Sequence, residues 1–175
     1  HAVDREYRVM KALAATRVPV PRMRVLCEDD DVIGSMFYVM DFLEGNVYWD
    51  APLQGFAKAD RAAMYDRMNA VLADLHQVDI EAVGLADFGK PGSYFERQYN
   101  RWVKQYRASE TERIEAMETL LEWLPGRMPA DDGRVALIHG DYRLDNLMFA
   151  KDRPKIIAVL DWELSTLGHP FSDIA

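Results

Sequence analysis

The chain has 175 residues, 49% apolar and 29% charged, which excludes a disordered or fibrous protein and bounds it to one domain or part of one. Lys and Arg number 21 against 29 Asp and Glu, a net charge of −8; this excludes a general nucleic-acid binder but not a phosphorylated small molecule held by a local basic pocket or a metal. A single cysteine, Cys27, excludes an intrachain disulfide and a cysteine zinc cage, and with no apolar run near the ~18–20 residues of a membrane span and no signal-peptide core, a reducing, cytoplasmic setting is expected.

The first predicted element is a helix over residues 4–15. Tyr7, Met10, Lys11 and Ala14 fall at helical spacing, and Pro19 and Pro21 stop it. Strands are expected at 23–27 and 32–42. The acidic stretch 28–31 between them reads as a solvated hairpin turn rather than a metal site. After a break at 43–46 and a loop with Pro52 and Gly55, a helix is predicted over 58–77. Met64, Met68, Val71, Leu72 and Leu75 form its apolar stripe, and the neighbouring His76 reads as a packed or surface histidine.

Residues 83–92 are loop-like. Ser93 with Glu96, and Ser109 with Glu112, each have the form of a capping box that opens a helix. The first of these helices carries Phe95, Tyr99, Trp102 and Tyr106 on one face. The second carries Ile114, Met117, Leu120, Leu121 and Leu124 and ends at Pro125 and Gly126. Both stripes read as core. Arg97, Arg101 and Lys104 lie opposite the aromatic face, either as a solvated face or as a surface for an anionic substrate.

The last third changes character. Short apolar strands are predicted at 135–138, 147–149 and 156–160, the last two joined by a turn at 151–154. The first runs into His139-Gly140-Asp141 and the third into Asp161-Trp162-Glu163. Burying several carboxylates together is costly unless a cation or donors compensate. Residues 139–146 match H-x-D-x-x-x-x-N, and Asp161 follows Asn146 by 15 positions. That layout suits phosphoryl transfer: one Asp accepts the proton of an attacking hydroxyl, while an Asn and a second Asp hold Mg²⁺ on nucleotide phosphates. His139 reads as a buttress of this loop. Asp87-Phe88-Gly89 spells D-F-G but precedes the loop, so it reads as loop punctuation, and residues 89–92 lack P-loop spacing.

Residues 161–173 then read Asp-Trp-Glu-x-x-x-x-Gly-x-Pro-x-x-Asp. With residues 139–146, this resembles the aminoglycoside phosphotransferase/choline kinase-like family, a branch of the protein-kinase-like fold. Residues 18–22, 75–79, 97–106 and 160–170 are similar to a subgroup found alone in bacteria and fused to acyl-CoA dehydrogenases in animals. The resemblance implies an α+β, two-lobed fold. Residues 1–45 would be part of the small lobe (a helix, two strands and a hinge), and residues 46–175 part of the large lobe. It implies Asp141 as catalytic base, and Asn146 and Asp161 as Mg²⁺ ligands with help from Glu163. Arg143 would face the transferred phosphoryl group, where it can stabilise developing charge. His139 and Asp173 would support the catalytic loop. Glu6 would pair with an ATP-positioning Lys, and the backbone of Met40, Asp41, Phe42 and Leu43 would meet adenine.

Neither a glycine loop nor a strand Lys precedes the Glu6 helix in these 175 residues. The expectation is therefore the central portion of a longer two-lobed domain. The implied activity is ATP- and Mg²⁺-dependent phosphorylation of a small-molecule hydroxyl, with a hydroxyacyl-CoA-like acceptor suggested by the subgroup, and no nucleic-acid or membrane partner. A nucleotide-binding pseudokinase and a metal-dependent phosphoesterase using His139, Asp141, Asp161 and His169 are the alternatives.

Overall fold

Helix α1 (Val3–Leu13) begins with Asp4 and Glu6, whose charges favour the positive end of the helix dipole, and it buries Val9, Met10 and Leu13. In this computed structural model, which describes residues 3–90 and 92–174, the Thr16 hydroxyl closes the helix by donating to the Leu13 carbonyl at 2.8 Å. The chain then forms the antiparallel pair β1 (Met23–Cys27) and β2 (Phe37–Met40), and α1 packs on both.

The expected strand at 32–42 is cut to its second half. Asp29 accepts the Asp31 N–H on its side chain at 2.9 Å, and the Gly34 N–H reaches the Asp30 carbonyl at 2.8 Å with Gly34 at a φ of +91°. These local bonds capture the backbone that a longer ladder needed, so Val32 and Ile33 are exposed loop residues. The acidic stretch is the solvated turn that was expected.

β3 (Asn46–Val47), which no pattern announces, pairs with β5 (Leu147–Phe149). β5 pairs in turn with β6 (Ile156–Val159), all antiparallel. A separate pair joins β4 (Ala136–Ile138) to β7 (Thr166–Gly168). Helix α2 (Lys58–His76) lies against β4 and β6. One apolar cluster runs through all of this: Val9 and Leu13 of α1, Leu75 of α2, then Leu85, Phe88, Leu137, Leu147, Phe149, Val159, Trp162 and Leu167. The Val159 N–H donates to the Pro19 carbonyl at 2.8 Å, so the segment after α1 is stitched to β6.

Helices α3 (Tyr94–Ser109) and α4 (Glu115–Trp123) follow, and α3 starts beside the end of β7, with the Phe95 ring 4.9 Å from that of His169. Neither capping box forms. Ser93 takes a left-handed backbone, makes no side-chain cap bond, and gives its N–H to Asp131 at 2.6 Å. Ser109 ends α3 by returning its hydroxyl to the Gln105 carbonyl at 3.0 Å, and α4 starts only after Ile114. The aromatic stripe of α3 is not core either: no α3 residue is fully buried and Trp102 is 59% exposed. Its apolar side chains and those of α4 instead line a groove between the two helices. The Tyr99 hydroxyl donates to the Leu121 carbonyl at 2.7 Å, and Arg107 grips Glu118 with both Nη atoms. Among the described residues no helix is long and apolar enough to cross a membrane.

The β3–β5 junction depends on Gly45, where a Cβ would lie 2.5 Å from Met148 Cγ and 2.6 Å from the Phe149 carbonyl oxygen. We expect Gly45→Ala to lower stability by about 1–3 kcal/mol in urea unfolding. Gly55→Ala, with open space around it, should stay within about 0.5 kcal/mol.

Candidate active site

Strand β4 delivers His139 into the interior and Gly140 into a tight reversal. Gly140 has a φ of +85°, and a Cβ there would sit 2.7 Å from the Leu164 carbonyl oxygen. Only glycine allows both the left-handed backbone and the close approach. Behind this reversal stands Asp173, whose side chain has 0% exposure. Its Oδ2 accepts the His139 N–H at 2.9 Å and its Oδ1 the Gly140 N–H at 2.8 Å. His76, at the end of α2, adds its Nε2 at 2.9 Å from Oδ2. His76 thus belongs to the support of the loop. The 97 positions between the partners left no sequence signal for it.

The His139 ring has a defined tautomer. Nδ1 accepts the Asp141 N–H at 3.3 Å, so the proton lies on Nε2, which donates to the Leu160 carbonyl at 2.9 Å. The ring also packs on Trp162, 4.8 Å between centroids. Burial holds the imidazole below its ordinary range, while nearby acidic groups pull the other way. A neutral buttress is what this environment favours.

Asp141 leaves the loop half-buried. Asn146 Nδ2 donates to its Oδ2 at 3.0 Å and to its backbone carbonyl at 2.9 Å. Both amide hydrogens are committed there, so Oδ1 is the atom Asn146 can offer a cation. The Leu160 N–H donates to the Asn146 carbonyl at 2.9 Å. That bond sets the exit of β6 beside the loop, one residue before Asp161. Asp161 has a φ of +61° and is exposed. Left-handed backbone costs little at an Asp, and it turns the chain so that Asp161 leaves the sheet while Trp162 goes into the core, donating Nε1 to the Val159 carbonyl at 3.0 Å. Glu163 follows, exposed. Arg143 reaches Asp145 through Nε and is otherwise solvent-facing.

Glu6 comes from α1. Burial raises its carboxyl, the Tyr38 hydroxyl at 3.2 Å pulls it back, and the charges of Asp161 and Glu163 push it up again. The same surroundings push the Tyr38 phenol up to about 12. Three acidic side chains from two distant segments thus share one field, which favours a bound cation. Among the described residues no three His, Cys, Asp or Glu side chains form a ready-made metal cage. The oxygen donors still fit Mg²⁺, which is held by one or two carboxylates and completes its shell with water and substrate phosphates.

Of the hinge residues, Met40 ends β2 and is exposed, and Phe42 is 89% exposed. Asp41 gives its N–H to the Arg22 carbonyl at 2.9 Å and its carboxylate to Arg24. Leu43 is half-buried. On the other side of Gly140 and Glu163 a cleft of about 670 Å³ opens, lined by Arg5, Lys90, Arg97, Arg101, Trp102 and Leu164 among others. The α3 spacing singled out Arg97 and Arg101; Arg5 and Lys90 join them only through the fold. Four cations and one carboxylate face this cleft in a chain of net charge −8.

Unfolded histidine titrates near ~6.5. Below that pH the unfolded chain binds a proton that buried His139 refuses, so stability falls as pH drops toward the lower folded value. We expect the urea midpoint to fall between pH 7 and pH 5, and to fall less in His139→Gln.

The profile of the Phosphotransferase enzyme family matches residues 1–175. The chain is 51% identical over 175 residues to acyl-CoA dehydrogenase family member 10 of Mus musculus, covering 100% of this chain and 16% of that protein. A crystal structure described as a candidate aminoglycoside phosphotransferase from Ralstonia eutropha superposes with a TM-score of 0.95 at 57% identity, covering 99% of this chain and 53% of that one. The streptomycin–ATP ternary complex of APH(2'')-IIa superposes with a TM-score of 0.70 at 16% identity, over 97% of this chain and 57% of that one, a likeness of fold alone. The chain therefore spans about half or less of the relatives it matches, and its mixed helix-and-sheet architecture is the protein-kinase-like one of aminoglycoside phosphotransferases. On its full-length match and its close relatives, the chain belongs to the phosphotransferase enzyme family.

Proposed function

We propose that this chain is the catalytic portion of an enzyme that transfers the γ-phosphoryl group of ATP to the hydroxyl of a small molecule. The observation that carries the reading is the arrangement around Asp141: a half-buried carboxylate held on one oxygen by Asn146, on a loop pinned from behind by Asp173. Residues 1–45 are then the end of a small lobe and residues 46–175 the core of a large one.

In this reading Asp141 accepts the proton of the acceptor hydroxyl as its oxygen bonds to the γ-phosphorus and the bond to the β–γ bridging oxygen breaks, releasing ADP. Asn146 and Asp161, with Glu163 beside them, are the groups that would hold Mg²⁺. When bound, the metal would supply neutralising charge on the phosphates. Arg143 is the nearby cation for the developing equatorial charge. Glu6 lies in the field of Asp161 and Glu163, which suits a cationic partner such as an ATP-positioning Lys. Met40 to Leu43 would present backbone to adenine. His139 and Asp173 hold the loop and take no proton from substrate.

The acceptor we assign is a hydroxyl-bearing acyl-CoA. The cationic cleft beside Gly140 suits a ligand rich in phosphate, and the mouse relative bears an acyl-CoA dehydrogenase name.

Asp141→Asn should lower kcat for ADP formation by about 10²–10⁴ with little change in Mg-ATP affinity. Equal turnover in the variant would remove Asp141 as base, and tight Mg-ATP binding with no turnover over any acceptor would make the protein a nucleotide-binding module. Arg97→Ala and Arg101→Ala should each raise the acceptor KM roughly tenfold without altering the KM for ATP. An unchanged acceptor KM would sink the assignment of an anionic acceptor.

A further inference from the structure

Asp87, Phe88 and Gly89 spell a metal-binding motif that the site does not use, yet the structure invests heavily in them. Phe88 is 1% exposed and lies inside the main apolar cluster. Gly89 presses on β7 so closely that a Cβ would meet Leu167 N and Thr166 Oγ1 at 2.6 Å. This loop is therefore fixed to the segment that follows Asp161 and Glu163. From the other side, α1 grips it with two arginines. Arg5 Nη2 donates to the Phe88 carbonyl at 2.9 Å and to the Ser165 carbonyl at 3.3 Å, while its guanidinium lies 4.1 Å from the Phe88 ring centroid. Arg8, about one turn along, donates to the Gly84 carbonyl at 2.8 Å, pairs with Asp87, and lies 5.9 Å from the same ring.

The two arginines differ in weight. The Arg8–Asp87 pair is exposed on both sides, and such pairs contribute little. Arg5 is half-buried, combines charge-assisted bonds to two carbonyls with a ring face, and so binds more strongly. Both bonds leave the same nitrogen, Nη2, and it is the planar guanidinium lying over the Phe88 ring that an ammonium does not reproduce. Arg5 is also the residue immediately before Glu6, and Ser165 lies two residues after Glu163. One side chain thus connects the backbone bearing Glu6 to the backbone bearing Glu163 and Asp161.

We propose that Arg5, seated on Phe88, is a positioning residue that clamps α1 to the 161–168 segment and so holds Glu6 in register with Asp161 and Glu163. The clamp itself follows from the contacts; its effect on turnover rests on the phosphotransferase reading.

The test uses the protein carrying its full natural sequence, with hydrogen exchange of α1 amides and steady-state kinetics as paired readouts. In Arg5→Gln, α1 amides should exchange at least tenfold faster while α2 amides hold their rates. The kcat/KM for ATP should fall about tenfold, whatever change in the acceptor KM follows from Arg5's place in the cleft wall. Phe88→Leu, which keeps a buried apolar side chain, removes the ring face and does not touch the cleft, should shift both readouts the same way. Unchanged α1 exchange in both variants overturns the clamp, whether or not the protein turns over ATP. Faster α1 exchange with full kcat/KM for ATP overturns the positioning of Glu6, and a rise confined to the acceptor KM overturns it by making Arg5 an acceptor contact. If Arg5→Gln exchanges faster throughout the molecule, Arg5→Lys decides: faster exchange limited to α1 supports the clamp, and unchanged exchange overturns it. A wild-type protein without ATP turnover would overturn the phosphotransferase reading, and the exchange arm would then decide the clamp alone.

Discussion

The site depends on one buried carboxylate. Asp173 has no solvent to satisfy it, so its lone pairs must be met by protein donors or the fold pays a desolvation cost of several kcal/mol. The His139 and Gly140 amides and the His76 ring meet it. The three donors come from two constraints: both amides from the reversal after β4, the imidazole from the end of α2. Satisfying Asp173 therefore places the reversal, and the reversal places Asp141 at its exit. His139 then reaches down to the Leu160 carbonyl, which brings the end of β6 and Asp161 alongside.

Charge is arranged on the two sides of this loop with opposite sign. The Glu6 carboxyl is raised first by burial and then by the charges of Asp161 and Glu163, which share its field. Arg5, Lys90, Arg97 and Arg101 face the cleft beyond Gly140. A negative locus suits a cation with its phosphates, and a positive cleft suits an anionic organic molecule. The 161–168 segment contributes to both: Asp161 to the negative locus, Leu164 to Leu167 to the cleft wall, and Glu163 to each. Its placement by Gly89, Arg5 and Gly140 matters to each.

The loop at 139–146 was legible because its pattern is local. His139, Gly140, Asp141 and Asn146 fall within eight consecutive residues, and each type has a narrow set of uses at that spacing. The long helix α2 was legible for the usual reason: its stripe from Met64 to Leu75 packs in or against the core. Strands β3 and β7 were not: β3 has two residues, and β7, Thr-Leu-Gly, lacks the apolar run that marked the equally short β4 and β5. The serine–glutamate spacings at Ser93 and Ser109 were misleading, because a cap needs the right backbone entering the helix and Ser93 is left-handed. The aromatic face of α3 was correctly found on one side, but the sequence could not say that its cover would be α4 rather than the main core.

The amino-acid sequence alone determined which groups are available here: acidic side chains, an amide and their spacing, and with them the family resemblance. These are properties of near neighbours in the chain, where residue type and distance are one piece of information. The tertiary structure decided which distant groups serve that chemistry. His76 supports Asp173, Arg5 and Lys90 join Arg97 and Arg101 at one cleft, and a D-F-G without a metal role becomes the seat of Arg5. Such pairings are set by the packing of one continuous core, in which each contact depends on volumes and donors supplied from far along the chain. No local pattern encodes them.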